Sequence, residues 1–458
     1  MIIKDATELA KENYTEYGLY IAQGRSYPNI IDGLKASYRR ALYGINENKS
    51  AKMLKVAELA AHALPYHPHP TSVAGVIIQM GENGNKLKLF DTQGNWGDSS
   101  KDVEASAERY ISGKLSKIAE DLFLDSVEYC NFVKGEIDKD EPEALPALIP
   151  YCFINGMSGI PSGLPTLNIP TLDIIGMIDY YLEILNAKDI DFKPKKYPKP
   201  NLEIDILSSK EEWDTILSTG KGAIKCGPVM SMEGNVITIT ALPKNRNADH
   251  VRKIIEKEIL LEKLDIRDES TNDMCIVVEK VPHKQCDMKE IYKRLYNKLQ
   301  ANITYNMAFY DKDKIYVPCS FDKVVRSNLD YVISTHNNRI ANELKDLEEK
   351  LAVLEIIERI KLKNYTKQFV ELDYEGAVEF LCNTFKCSRV QASKVLQKPI
   401  SYLTKEHKKE IEDLENAIAE LKNDQSDIFE FLAKKYKDLK KKINSVIKNK
   451  FKPTKFVK

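Results

Sequence analysis

The sequence has no excess of either charge: 68 Lys and Arg are balanced by 68 Asp and Glu. A chain without net charge exerts no global pull on a polyanion, so any anion site must come from local clustering. No apolar run approaches the ~18 residues of a membrane span. The charged, amphipathic start MIIKDATELAKENYTEYG does not read as a signal peptide. The eight cysteines include no CxxC pair. Cys382 and Cys387 alone lie close together, and without partner ligands they read as helix-core residues rather than a zinc site. Reduced thiols in a cytoplasm-like compartment are expected. No Walker or GHKL pattern for ATP occurs. Clustered carboxylates are missing too: KDIDF and LEIDI flank a proline-rich linker and read as ordinary surface.

What is present is a chain of 458 residues, 30 % of them charged, long enough for several domains and rich in helix signals. ELAKENYTEYGLYIAQG and VAELAAHAL carry apolar residues at helical spacing. Between them Arg25, Lys35, Arg39, Arg40, Lys49, Lys52 and Lys55 outnumber the nearby acids. Lys35, Arg39 and Arg40 are expected to share a helix whose face presents cations, although a merely solvated face would look similar. FDTQGNWGDSS and LPALIPYCFINGMSGIPSGLPTLNIPTLD read as loops, and FKPKKYPKPN as an extended basic linker. From about Leu202 to Asp330 the pattern is mixed, with strands in NVITITALP and MCIVVEKVP and helices in ADHVRKIIEKEILLEKL and MKEIYKRLYNKLQ.

The last part changes character. Ile340, Leu344, Leu347, Leu351 and Leu354 form a heptad seam. A second runs through Ile411, Leu414, Ile418 and Leu421, is interrupted at Asp424 and Gln425, and resumes from Leu432 to Val446. Two long antiparallel helices with a knob at about 365–403 are the simplest geometry, and an apolar knob on a stalk calls for a partner. The chain then runs out in a basic tail, KNKFKPTKFVK.

One dipeptide, Arg109-Tyr110 in ERYISGKLSKIAE, stands apart from any metal cluster, phosphate loop or serine triad. Read alone, Tyr110 is one tyrosine among 23 and fits a core-edge aromatic as well as a nucleophile.

Six stretches in order remove that ambiguity. GRSYPNIIDGLKASYRRALYG, YHPHPTSVAGVIIQM, DTQGNWG, ERYISGKLSKIAEDLF, IPYCFINGMSGIPSGLPTLNIP and TGKGAIKCGPV together resemble the DNA-cleaving A subunit of type IIA topoisomerases, as in gyrase and topoisomerase IV. The resemblance covers nearly the whole chain. LDIRDESTNDMCIVVE and VLQKPISYLTKEHKKEIEDLENAIAEL look like the family's tower strands and the helix returning from its dimerising knob. In compactness the chain looks most like the short cleavage subunit of large-phage topoisomerases, without the β-pinwheel that wraps DNA.

The resemblance implies a multidomain α+β fold. Its parts are an N-terminal helical arm (1–24), a winged-helix, CAP-like cleavage domain (25–150), an α/β tower (151–325), an antiparallel coiled coil with a helical dimerisation knob (326–446) and a basic tail (447–458). It makes Tyr110 the nucleophile, with Arg109, Arg25 and His69 as its catalytic companions. Lys35, Arg39, Arg40, His67, Ser72 and Asn155 would bind DNA, and Ile160 would wedge between base pairs. A phenol suits the reaction: with a pKa of about 10 it is both a competent nucleophile and a good leaving group, so the covalent bond preserves the energy of the broken one. The transition state gathers negative charge and needs fixed cations. Mg²⁺ and ATP would be bound on a partner chain carrying toprim and ATPase functions. The expected assembly is a homodimer with two such partners on double-stranded DNA, in a bacterial or phage-infected cytoplasm and away from membranes.

There are departures. The family's glycine after the second histidine is Pro70, followed by Thr71, and VAGVIIQ lacks the family's acidic residue one turn after Ser72. Weak trapping of cleavage by quinolones is therefore expected; trapping at ordinary drug levels would refute it. The competing reading is a non-catalytic DNA-bridging dimer of the same fold.

Overall fold

A computed structural model describes residues 5–67, 69–99, 103–137, 139–161, 163–243, 246–258, 263–271, 274–283, 285–312, 314–362, 365, 372–399, 402, 406–447 and 456. The fold mixes helices and antiparallel sheets in two compact units, one of residues 1–332 and 434–458, the other of residues 333–433. Among the described residues no helix is long and apolar enough to cross a membrane.

The first unit opens with helix α1 (Ala6–Ile21), which passes directly into a π-helical turn, Ala22–Ser26. Helices α2 (Ala36–Glu47), α3 (Val56–Ala63) and α4 (Pro70–Gly81) follow and pack on one another. Against them lies a three-stranded sheet in the order β1 (Leu54–Lys55), β3 (Ser112–Leu115), β2 (Phe90–Gln93). The stretch expected to be a loop around FDTQ is thus β2, and the loop begins only at Gly94. Trp96 in that loop is fully buried and stacks on Phe90. Its ring fits because the chain is bare on both sides: a Cβ at Gly81 or Gly113 would come within 2.5 or 2.7 Å of it. Filling that slot with Trp96 fixes the height of β3, the strand that follows Tyr110.

The 151–169 segment, read as loop, is a short helix Tyr151–Asn155 and two strands, Met157–Gly159 and Leu167–Ile169. Glycine and proline spacing hid strands of three residues. These strands form one side of a five-stranded sheet, continued by Ala301–Asn306, Lys221–Gly227 and Asp205–Ile206. The basic linker is packed down, not free. Tyr197 stacks on Tyr180, both hydroxyls donate to Asp322, and the Pro198 carbonyl accepts from the Trp213 indole.

The expected strands Val236–Ala241 and Ile276–Lys280 are the centre of a four-stranded sheet. Their alternate residues Ile237, Ile239, Ile276 and Val278 are buried with Val251, Ile255, Ile291 and Leu295 from helices Ala248–Glu258 and Met288–Leu299. Period-two and period-3.6 apolar patterns meet in one core, as the sequence requires.

Helix Phe321–Leu362 runs for 42 residues, from the first unit into the second. Within the second unit Ile340, Leu344 and Leu354 are buried. His336 packs on Phe431 and Glu348 pairs with Lys422, while Ile411 and Leu414 reach the cluster of Val353, Ile357 and Ile360. Partners rise in number on one side as they fall on the other, so helix Lys408–Ser426 runs opposite to the long helix. That cluster is completed by Val378, Leu381, Ala392 and Val395 from helices Tyr374–Phe385 and Arg389–Leu396, with Cys382 and Cys387 packed at its edge. Knob residues 366–371, 400, 401 and 403 lie outside the described residues, as does the basic tail apart from Ile447 and Phe456. The second seam does not continue to Val446, which is 55 % exposed. The chain breaks at Asp427, and after it Tyr436 stacks on Tyr181 in the first unit and donates to the Leu148 carbonyl.

Candidate functional site

His69 is the N-cap of helix α4, and Pro70 stands in the first turn, where a missing N–H costs nothing. The Ser72 hydroxyl donates to the His69 carbonyl at 2.8 Å and so has only lone pairs left for the His67 Nε2, 3.0 Å away. His67 must therefore carry its hydrogen on Nε2. Its Nδ1 is buried and, among the described residues, has no hydrogen-bond partner. Burial, reinforced by the Arg40 charge and by His69, pushes the His67 pKa down to about 4. Arg25, exposed on the π-helical turn, lies with Nη2 3.1 Å from the His69 Nε2. Arginine has no acceptor, so the His69 nitrogen must accept. Arg25, His67, His69 and Ser72 thus form one contact set.

The depressed His67 value has a measurable sign. Below the ordinary value of 6.5 the unfolded chain binds a proton that the native chain refuses until about pH 4, so stability falls as pH falls through that window. The expected loss is on the order of 2–3 kcal/mol. A His67→Gln variant keeps an N–H for Ser72 but has no imidazole to titrate. Denaturant unfolding should show the variant gaining on the wild type by that amount between pH 6.5 and 4; parallel curves would exclude the mechanism.

Tyr110 stands in a second set. Its N–H closes a turn onto the Ala107 carbonyl at 2.8 Å, and its side chain is 65 % exposed, in contrast to the buried Ile111 that follows. The Arg109 guanidinium lies 4.8 Å from the Tyr110 ring centroid. Such a contact contributes roughly 0.5–1 kcal/mol at an exposed site. A cation is thereby held beside an accessible phenol in the turn that leads into β3.

Ile160 projects further still, 86 % exposed, from the end of strand Met157–Gly159. Lys35 donates to the Ser158 carbonyl at 2.9 Å. Gly159 lies so close to the Arg25 turn that a Cβ there would stand 2.5 Å from the Ser26 carbonyl oxygen. Burial lowers the Lys35 pKa.

Three residues expected to touch DNA face inward instead. Arg39 is buried and donates through Nε and Nη2 to the equally buried Asp32, and both its Nη atoms lie 3.3 Å from the Tyr310 hydroxyl. Burial opposes its charge, but Asp32 and Tyr310 outweigh that and raise its pKa. Arg40 donates to Glu141 at 2.6 and 2.8 Å and pairs with Glu136. Asn155 clasps the backbone of Leu87, accepting from its N–H at 3.1 Å and donating to its carbonyl at 2.9 Å. The expected cationic face of α2 is therefore a buried ion-pair face. Helical periodicity placed the arginines together, but it carries no information about acids that arrive from elsewhere. Asp32, the acid that holds Arg39, lies only seven residues from it, but in the turn ahead of α2 and so outside its helical period.

A family model for the A subunit of DNA gyrase/topoisomerase IV matches residues 25–451. The A subunit of DNA topoisomerase 4 from Haemophilus influenzae is 29 % identical over 376 residues, covering 78 % of this chain and 50 % of that protein. The DNA gyrase A subunit of Leptospira biflexa is 27 % identical over 438 residues (88 % and 51 %), and that of Chlamydia pneumoniae 29 % over 469 (93 % and 54 %). The chain spans about half the length of the curated relatives it matches.

Proposed function

Because the chain belongs to the family of DNA gyrase/topoisomerase IV A subunits, we propose that it is the DNA breakage–reunion subunit of an ATP-dependent type IIA topoisomerase. Tyr110 is the nucleophile. Its oxygen forms a bond to a backbone phosphorus, the bond from phosphorus to the 3′-oxygen breaks, the phenolic proton passes to solvent and the 3′-oxygen takes one up. The product is a 5′-phosphotyrosyl link that reverses without ATP. Arg109, Arg25 and His69 supply donors and positive charge to the non-bridging oxygens, where charge accumulates. The observation that carries the reading is the exposed Tyr110 ring with a guanidinium stacked on it.

Lys35, Ser72 and Ile160 form the DNA face, with Ile160 as the apolar wedge, on a winged-helix domain; His67, which is buried, holds Ser72 instead of touching DNA. The tower, coiled coil and dimerisation knob follow in family order, with the boundaries given above. The opposed helices of the second unit support the coiled-coil part. Among the described residues no group of three or more His, Cys, Asp or Glu is gathered to hold a metal. We assign Mg²⁺ and ATP to a toprim-bearing partner in a two-plus-two complex, working in the cytoplasm on double-stranded DNA.

The test is covalent trapping. The chain is mixed with a toprim-bearing partner, Mg²⁺ and supercoiled plasmid, then quenched with detergent and digested with protease. Linear DNA with protein on its 5′ ends is the expected result. Tight binding with no linear product would favour a DNA-bridging dimer of the same fold.

A further inference from the structure

The peptide units on both sides of Tyr110 are held, and by different means. Its N–H is bonded to Ala107 within the turn. Its carbonyl oxygen lies 3.4 Å from the Nζ of Lys55, a residue 55 positions earlier. Lys55 is the end of the two-residue strand β1 and is paired with Ser112, while the next N–H, of Val56, donates to the Ile111 carbonyl at 3.1 Å. One short segment thus grips three consecutive residues, 110 to 112, on the strand that leaves the nucleophile. The Tyr110 ring has little protein around it, so what aims it is its backbone, and the Lys55 ammonium is the side-chain hold on that backbone. The Arg109 contact steadies the ring but sits on the same turn and moves with it.

We propose that Lys55 is a positioning residue for Tyr110, its ammonium holding the Tyr110 carbonyl and with it the direction in which the phenol is presented. The proposal rests on the reading of Tyr110 as nucleophile. Lys55 forms and breaks no covalent bond; it narrows the range of orientations from which attack begins, where small misplacements are costly.

The full chain is tested as wild type, Lys55→Met and Lys55→Arg, with Tyr110→Phe as the blank. With a toprim-bearing partner, Mg²⁺ and labelled duplex, single-turnover adduct formation should slow about tenfold in Lys55→Met and return to within about twofold in Lys55→Arg, with DNA affinity unchanged in both. In the chain alone, hydrogen exchange of the Tyr110 amide should quicken about tenfold in Lys55→Met only. If the wild type forms no adduct, the parent reading fails and the exchange result still decides the role of Lys55. Adduct formation by Lys55→Met at the wild-type rate, or unchanged exchange, overturns the proposal alone. So does equal loss in both variants, which would mark a demand for lysine itself. Weaker DNA binding with unchanged cleavage of bound DNA would make Lys55 a phosphate contact and overturn it as well.

Discussion

Tyr110→Phe should remove covalent attachment to DNA altogether, a loss of at least about a thousandfold in trapped adduct, while binding changes by less than about twofold. The asymmetry follows from the surroundings of the ring. It is 65 % exposed and touches Arg109, a contact phenylalanine can keep, so the substitution deletes one oxygen and leaves the fold undisturbed. Gel resolution of protein-linked DNA measures the first quantity and a binding titration the second. Adduct formed by the variant at the wild-type level would assign the nucleophile elsewhere; lost binding would mean that the phenol serves as a DNA contact.

The second large effect is on stability. Asp32 is completely buried and accepts from Arg39 Nε and Nη2, the Leu34 N–H and the Leu145 N–H. Asp32→Ala leaves a buried guanidinium and two backbone donors without that acceptor. Removing one member of a buried pair costs about 3–5 kcal/mol, because the remaining charge stays desolvated. Denaturant unfolding should show a loss of that size for Asp32→Ala and a comparable one for Arg39→Ala, with strong coupling in the double mutant. A loss below about 1 kcal/mol would mean that water reaches the pair. A salt titration of DNA binding by Arg39→Ala separates the two roles considered for Arg39: loss of an internal strut leaves the salt dependence unchanged, whereas loss of a phosphate contact reduces it.

How much of this was legible in the sequence depends on the distance over which each feature is built. Tyr110 and Arg109 are neighbours, but the pair alone reads no differently from a core-edge aromatic beside a charge; the role expected of it rests on six stretches in order along the chain. The core strands of the four-stranded sheet show themselves by alternation within five or six residues. The short strands around Ile160 do not, since three residues between glycines and prolines give no period to detect. Arg40 meets Glu141 across 101 positions, and Asn155 meets Leu87 across 68. Such meetings are decided by tertiary packing, and an arginine with a buried acid looks the same in one dimension as an arginine awaiting a phosphate. The second seam shows the converse: its apolar spacing persists beyond Asp427, but Tyr436 packs on Tyr181 of the first unit.

The approach of Gly159 to Ser26 has a mechanical meaning. No side chain separates the strand that ends at Gly159, just before Ile160, from the turn that carries Arg25, and Lys35 is hydrogen-bonded to the same strand. A load on the Ile160 tip is therefore transmitted through backbone to Arg25, and through its 3.1 Å contact to His69, with little slack to absorb it. If DNA is bent at that tip, strain in the duplex and alignment of the cations become one variable. Altered bendability of a DNA site should then change cleavage rates together with affinities, even where no base is read.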